Sequence, residues 1–434
     1  MDGPTRLRAL QQPFGGIVSN ATWITKQDPT GLDMFVCQVA SAAQVWAPGP
    51  GKPAPPKRLF GVGTSPNPAD ALTSAIGEAI ERYALCIPPD PDDIVTATAG
   101  ELGAAAVDWR SFPRCSDSEL SHPRCVLSRF DPDRPIRWVQ SYSLTDQRSK
   151  LVPLVMTHLL PITPAERFWA PISTGTATHD DVYQAAVRAI CELIERDAIA
   201  LTWLLGLRLP RVEIGATVPA AYRAHLQELR RARSNVHLFD ATTDFGVPTV
   251  YAVEERSRES RAQHVVGCAT SLSPHDAWTG ALKELVAVSC LLLRENVPPP
   301  PTCVDEIIEL EHGALYMARA ERAEAFAFLT GNTASTNLDG RPDSSRLTPR
   351  EQLALLVGRF ATLGMDLLIL DITPADVREQ GFSVIRAIAP DLMPLPTMFR
   401  SRYLGHRRLY DYARLAGREG FSEAMVNPYP QPFA

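Results

Sequence analysis

Residues 61–85 read GVGTSPNPAD and then ALTSAIGEAIERYAL, a run of small residues that leads into a long helix. Asn67 can cap the first turn. Pro68 fits the first helical position, where its missing N–H is not needed, and Asp70 places negative charge at the positive end. The same order returns at Ser173-Thr174-Gly175-Thr176-Ala177-Thr178, which leads through Asp180 and Asp181 into VYQAAVRAICELIERDAIALTWLL (182–205). It returns again at Gly267-Cys268-Ala269-Thr270-Ser271, which leads through Ser273-Pro274-His275-Asp276 into AWTGALKELVAVSCLLLREN (277–296). The first helical glutamate follows its glycine at a near-constant distance: Gly63 to Glu78, Gly175 to Glu192, Gly267 to Glu284. Three copies of one order predict repeated strand–loop–helix units. Their strands are 58–62 (RLFGV), 169–172 (WAPI) and 264–267 (HVVG).

Outside the repeats the alternation continues. Strands are expected at 138–144, 151–156, 235–243, 247–255 and 365–373, and helices at 218–233, 316–329 and 349–363, which gives an α/β or α+β fold with mixed sheets. Proline supplies the punctuation. The tract Pro48 to Pro56 reads as a linker, so that residues 1–57 form an N-terminal segment and 58–434 one large domain. Pro298 to Pro301 stop a helix, and the ending Pro428-Tyr-Pro-Gln-Pro-Phe-Ala434 cannot close one.

The composition is that of an ordinary globular protein, with 45% hydrophobic and 21% charged residues. The balance of 43 Lys and Arg against 49 Asp and Glu leaves no basic field to attract nucleic acid or a membrane surface. The opening lacks the apolar core of a signal peptide, and the apolar stretch near 198–207 is too short to cross a bilayer, so a cytoplasmic location is expected. The eight cysteines form no zinc-spaced set, and several sit in apolar runs, as Cys191 does, which suits reduced, buried thiols there. His179-Asp180-Asp181 reads as a helix cap more simply than as a metal pair, and Arg400, Arg402, Arg407 and Arg408 as a solvated basic face, with an anion-facing or precursor-facing patch as the alternative.

Chemistry gathers on the first two helices. Glu78 and Glu81 in one, Glu192 and Glu195 in the other, stand three residues apart and so share a helix face, on helices with almost no separate polar side. Burying four unpaired carboxylates costs several kcal/mol each, and two answers are open. Arg82 and Arg196 can pair with Glu78 and Glu192 at i,i+4. Alternatively, Mg²⁺ can bridge the carboxylates and a nucleotide, since it takes oxygen ligands and is readily shared with phosphates. Glycine-rich turns and helix N-termini suit the same ligand, although no P-loop or GxGxxG is present.

Segments 58–85 and 171–203, with SxxxExxER and ExxERD, resemble the signature segments of YcaO-type proteins. Segments 311–329 and 366–409 and the ending NPYPQPFA resemble the azoline-forming cyclodehydratase branch. The resemblance implies ATP- and Mg²⁺-dependent chemistry on a ribosomally made precursor peptide. A Cys, Ser or Thr side chain attacks the preceding amide, ATP phosphorylates the amide oxygen, and loss of phosphate leaves a thiazoline or oxazoline. It also implies a role for each site residue. Glu78, Glu81, Glu192 and Glu195 would hold Mg²⁺. Ser74, Glu78, Arg82, Arg188, Glu192, Arg196 and Glu284 would bind the nucleotide. The tail residues Pro428, Pro430, Pro432 and Ala434 would lie at the reaction centre.

Two positions depart from the family pattern. Val62 stands where a lysine is usual, and Ala287 stands where Glu284 is usually followed by glutamine three residues on. They support a non-catalytic scaffold subunit as one alternative; the same chemistry with sulfide as external nucleophile would make a thioamide-forming enzyme the other, against which the proline-rich tail speaks. The implied partners are the precursor peptide and a leader-binding, ubiquitin-activating-enzyme-like (ThiF-like) protein on another polypeptide. A dehydrogenase and a second copy of the chain are further candidates.

Overall fold

Repeated units of strand, loop and helix are the frame of the protein. Its structure, a computed structural model, describes residues 3–11, 16–25, 34–45, 57–213, 220–231, 233–257, 260–338 and 340–434. The proline-rich stretch 48–56 lies outside the described residues.

Strands β1 (Thr22–Thr25), β2 (Phe35–Val45) and β3 (Lys57–Ser65) form an antiparallel sheet in that order. Strands β4 (Val95–Ala97), β5 (Ile136–Ser143), β6 (Arg148–Pro153) and β7 (Thr176–His179) belong to a second sheet. Strands β8 (Arg211–Val212), β9 (Asn235–Asp240), β10 (Thr249–Glu255), β11 (His264–Thr270) and β12 (Ser335–Thr336) build the third, ordered β11-β10-β9-β8-β12. Late in the chain β13 (Leu368–Asp371) and β14 (Ser383–Ile388) complete the second sheet as β4-β5-β13-β14-β7, with β6 on β5. Among the described residues the strand ladders are antiparallel except between β8 and β12, which run parallel. Helix and sheet are mixed throughout, as the sequence predicts.

Three long helices carry the repeats: Pro68–Cys86, Val182–Leu205 and Pro274–Leu293. Each begins as its sequence predicts. Asn67, Asp181 and Ser273 accept hydrogen bonds from the first-turn N–H groups of Ala69, Gln184 and Asp276. The first helix lies directly on β3. A Cβ at Gly61 would stand 2.1 Å from the Ala75 carbonyl oxygen, and one at Gly63 would stand 1.9 Å from that of Ala71. Glycine is needed here because strand backbone touches helix backbone. Gly267 in β11 has the same relation to Ala281 of the third helix, at 2.5 Å.

The first sheet is covered on both faces. Cys37 and Val39 of β2 pack with Ala71, Ala75, Ile76 and Ala79 of the first helix. Met34 and Val36 pack with Trp278, Ala281, Leu282 and Leu285 of the third. Alternation along one strand thus serves two helices.

Four local expectations are corrected. The second repeat's strand is not 169–172 but β7; Pro171 interrupts the earlier stretch, and the carbonyls of Ile172 and Thr174 are held instead by Arg386. At 151–156 the strand ends at Pro153 and a helical turn, Leu154–Thr157, follows. The stretch 316–329 is split into Leu310–Met317, a 3-10 turn at Ala320–Phe326 and Ala327–Thr330. The break falls at Ala318, whose carbonyl accepts from Gln263 and His264 at the start of β11. The arginine cluster is no solvated face, because Arg408 is buried between Asp197 and Asp244 and Arg402 is largely covered. All eight cysteines are free. Among the described residues no helix is long and apolar enough to cross a membrane.

Candidate active site

The motif glutamates meet where the three units join, and one arrangement repeats. Glu78 accepts the Val62 N–H of β3 at 2.8 Å, Glu192 the Gly175 N–H just before β7 at 2.9 Å, and Glu284 the Cys268 N–H of β11 at 2.6 Å. Each is a bond from a helix to the strand of its own unit. The second glutamate reaches the next unit. Glu81 accepts the Thr178 N–H of β7 at 2.8 Å, and Glu195 the Thr270 N–H of β11 at 2.9 Å. The threonine donors close matching sequences, Gly175-x-x-Thr178 and Gly267-x-x-Thr270, with Gly61-x-x-Thr64 as the third, whereas the donor to a unit's own glutamate is the residue after the glycine at Val62 and Cys268 but the glycine itself at Gly175.

The third junction is different. The third helix packs beside β3, but the residue three positions after Glu284 is Ala287, which has no acceptor to offer. The Val62 N–H is turned away from β2 toward Glu78, and alternation along an antiparallel strand turns the Thr64 N–H the same way. The Thr64 hydroxyl is buried with no partner among the described residues.

The carboxylates are only partly neutralised. Arg82 pairs with Glu78 at 2.7 Å, as i,i+4 spacing allows. Arg196 stands among three glutamates at longer range: 3.7 Å from Glu192, 3.4 Å from Glu195 and 3.6 Å from Glu284. Burial, then repulsion from Glu78 and Glu192, pushes the Glu81 carboxyl up to about 8. Glu195 and Glu284 are also raised, chiefly by burial, with Arg196 opposing. Arg196 is held more firmly charged by the same three acids.

Each glutamate therefore spends one oxygen on a backbone N–H, and those of Glu81, Glu192, Glu195 and Glu284 keep a second with at most a long contact to arginine. Among the described residues no three His, Cys, Asp or Glu side chains converge closely enough to enclose a metal by themselves. A hard cation here needs further oxygens from a ligand, which is how Mg²⁺ is usually held with phosphates. The cavity beside these acids measures about 740 Å³ and is lined by Gln184, Arg188, Glu192, Glu195, Thr270 and Gln352 among others. Its size and its mixture of donors and acids suit a nucleotide. Exposed Ser74 lies one turn before Glu78. The residues present fit ATP with Mg²⁺.

The tail runs inward. The Trp203 indole donates to the Tyr429 carbonyl at 3.0 Å, and the Asn427 N–H to that of Leu204 at 2.9 Å. Pro428 is exposed, Pro430 and Pro432 are buried, and Ala434 is half-buried. Phe433 is fully buried and meets Tyr251 edge to face at 5.2 Å. Tyr251 adjoins the site, since Cys268 and Glu284 add to the burial that raises its phenol.

Sequence reasoning missed several contributors. Thr178 and Thr270 act through backbone N–H groups, which no side-chain motif reports. Asp197, in the quoted ExxERD, is fully buried, holds Arg408 at 2.7 Å and accepts the Met393 N–H at 2.8 Å. Arg386 is buried in β14, and its signal was a lone arginine inside the apolar run SVIRAI.

Residues 62–393 match the family model described as YcaO cyclodehydratase, ATP and Mg²⁺ binding. An uncharacterised protein of Rhizobium leguminosarum bv. trifolii, from the tfuA 3′ region, is 29% identical over 187 residues, 42% of this chain and 42% of its own length. A heterocyclase solved in complex with substrate and cofactor superposes with a TM-score of 0.80 at 23% identity, over 99% of this chain but 57% of that one. The E. coli microcin synthetase McbBCD complex matches with a TM-score of 0.66 at 14% identity, over 96% of this chain and 97% of the matched chain. At these identities the two structures establish a shared fold.

Proposed function

The chain belongs to the YcaO family, and on that premise we propose that it is the ATP- and Mg²⁺-dependent cyclodehydratase component that converts Cys, Ser or Thr of a ribosomal precursor peptide into thiazoline or oxazoline. The observation that carries the reading is the set of five glutamates fixed by backbone N–H groups, four of them with an uncommitted oxygen and two of them, Glu192 and Glu195, lining the 740 Å³ cavity. Bound ATP with Mg²⁺ supplies the phosphoryl group that turns a backbone amide oxygen into a leaving group.

The chain's own residues prepare that chemistry. Glu78, Glu81, Glu192 and Glu195 are oriented in advance by the backbone, so binding a cation costs them little conformational freedom. Arg82, Arg188 and Arg196, with Ser74 and Glu284, take the nucleotide's polar groups. Burial keeps Glu81 largely protonated near neutral pH; cation binding releases that proton. The tail, buried from Pro430 to Phe433 and half-buried at Ala434, stiffens the wall beside Tyr251 and Glu284 and limits water. Val62 does not interrupt the arrangement, because β3 contributes there through its backbone N–H.

The heterocyclase and microcin synthetase neighbours support a peptide substrate and an assembly with partners. We assign leader recognition to a ubiquitin-activating-enzyme-like partner. A dehydrogenase would act on the azoline. Eight free cysteines suit the reducing cytoplasm where ATP is available.

The test is to incubate the protein, a partner encoded beside it, the precursor peptide, ATP and Mg²⁺, and weigh the peptide. Loss of one water per modified residue is expected, with Glu195→Ala inactive yet folded. Exchange of oxygen for sulfur would assign thioamide formation instead. Peptide modification without ATP use by this chain would make it a scaffold.

A further inference from the structure

A second, smaller cavity of about 40 Å³ lies behind the glutamates, lined by Arg196, Arg386, Trp169, Met156, Leu193 and Met393 among others. No acidic residue lines it. Arg386 is almost fully buried and has no carboxylate within ion-pair distance among the described residues. Its two terminal nitrogens donate to the carbonyls of Met156, Ile172 and Thr174 and to the Thr176 hydroxyl. Its Nε–H has no acceptor, and neither has the buried indole N–H of Trp169. Two N–H donors left unmet in one apolar pocket are costly, and so is a buried cation that meets only neutral acceptors.

A water molecule would satisfy the two donors but leave the charge of Arg386 uncompensated. An oxyanion answers both. Arg196, with only long contacts to its three glutamates, lines this cavity, and two of those glutamates, Glu192 and Glu195, line the larger one.

We propose that this cavity is a subsite for a phosphoryl oxyanion, held by Arg386, Trp169 and Arg196. It deepens the function proposed above and rests on it only for the source of the phosphate, either the nucleotide's terminal group or the inorganic phosphate released. Arg386 also carries the turn that presents the Gly175 N–H to Glu192, so an anion here would fix that turn.

The experiment titrates inorganic phosphate into the whole protein at constant ionic strength, with chloride as control, by calorimetry and ³¹P line width. Saturable binding is expected, weakened about tenfold in Trp169→Phe, which removes one N–H and keeps the ring. Arg386→Gln should abolish it. Trp169→Phe should leave the thermal midpoint of the ligand-free protein within a degree or so, which guards against a folding artefact. Exclusion of phosphate by the Mg²⁺ complex of AMPPCP but not by that of ADP would assign the seat to the terminal phosphate, and joint binding with both would assign it to released phosphate. No binding to the wild type, or equal binding by wild type and both variants, overturns the inference. A protein that binds Mg²⁺–nucleotide and processes peptide but not phosphate loses only this inference. One that binds phosphate but consumes no ATP loses only the function.

Discussion

Removing the charge from Glu81 should stabilise the ligand-free protein at alkaline pH and do almost nothing at acid pH. Burial and the neighbouring Glu78 and Glu192 raise this carboxyl from 4.5 to about 8. Below pH 4.5 both folded and unfolded chains hold its proton. Between 4.5 and about 8 only the folded chain does, so stability falls as pH rises through that window. At 1.36 kcal/mol per pH unit the ceiling is about 5 kcal/mol. Partial solvent access and an effective dielectric near 20 bring the observable change to about 1–3 kcal/mol. Glu81→Gln keeps an oxygen for the Thr178 N–H, so the strand contact survives. Denaturant unfolding in a chelating buffer should give equal stabilities near pH 5 and a variant more stable by that margin near pH 9. The wild type should also bind Mg²⁺–nucleotide more tightly as pH rises toward 8, because the cation competes with a proton, and the variant should lose this slope. A variant less stable than the wild type at both pH values, or one with the same pH dependence, would refute the reasoning.

Ala287→Gln supplies the acceptor missing from the third junction and should raise stability by about 1 kcal/mol, read as a higher thermal midpoint of the ligand-free protein; an unchanged or lower midpoint would mean that the third helix does not grip β3. Arg408→Met leaves Asp197 and Asp244 buried without their cation and should cost about 3–5 kcal/mol in chemical denaturation, whereas Arg407→Met, at the exposed neighbouring position, should cost under about 0.5 kcal/mol. Phe433→Ala empties a fully buried site against Tyr251 and should cost about 3–5 kcal/mol, far more than a frayed terminus would, with the loss checked by urea titration.

How much of this was legible in the sequence depended on which atoms carry the information. Helix starts were legible because Asn67, Asp181 and Ser273 cap with side chains. The acidic pairs were legible because i,i+3 spacing fixes a shared face whatever the tertiary structure. Glycine-rich sequence suggests phosphate-facing turns, but Gly61, Gly63 and Gly267 sit inside strands, where helix backbone leaves no room for a Cβ. In the second repeat the apolar stretch Trp169-Ala-Pro-Ile172 mimics a strand, while β7, reading TATH, carries little apolar signal and is specified by pairing with β14. Arg408 looked solvated because its neighbours are charged; its partners are more than 150 positions away in sequence. Backbone donors such as Thr178 N–H have no sequence signature at all.

The two readings of the ExxE pairs, internal pairing or cation binding, turn out not to compete. A carboxylate has two oxygens, and each glutamate in the ring uses one for the fold. Glu78, Glu192 and Glu284 tie a helix to its own strand, while Glu81 and Glu195 tie it to the next unit. The spacing of three does both because one position on the helix face meets the backbone of its own unit and the other, one turn on, meets a strand of the next unit's sheet. Arginine reaches the second oxygen closely only at Glu78. Elsewhere the same bonds that hold three units together leave oxygens inside the ring in fixed directions, and at Glu81, Glu195 and Glu284 burial, reinforced by repulsion from neighbouring acids, raises the proton affinity. Removing that repulsion by a cation should then tighten the joints between units as well as fill the site. Mg²⁺–nucleotide should accordingly slow amide exchange at Thr178 and Thr270, whose N–H groups are gripped from the neighbouring helix, more than at Thr64, which is not. Equal protection at all three would mean that binding and assembly are carried by different atoms.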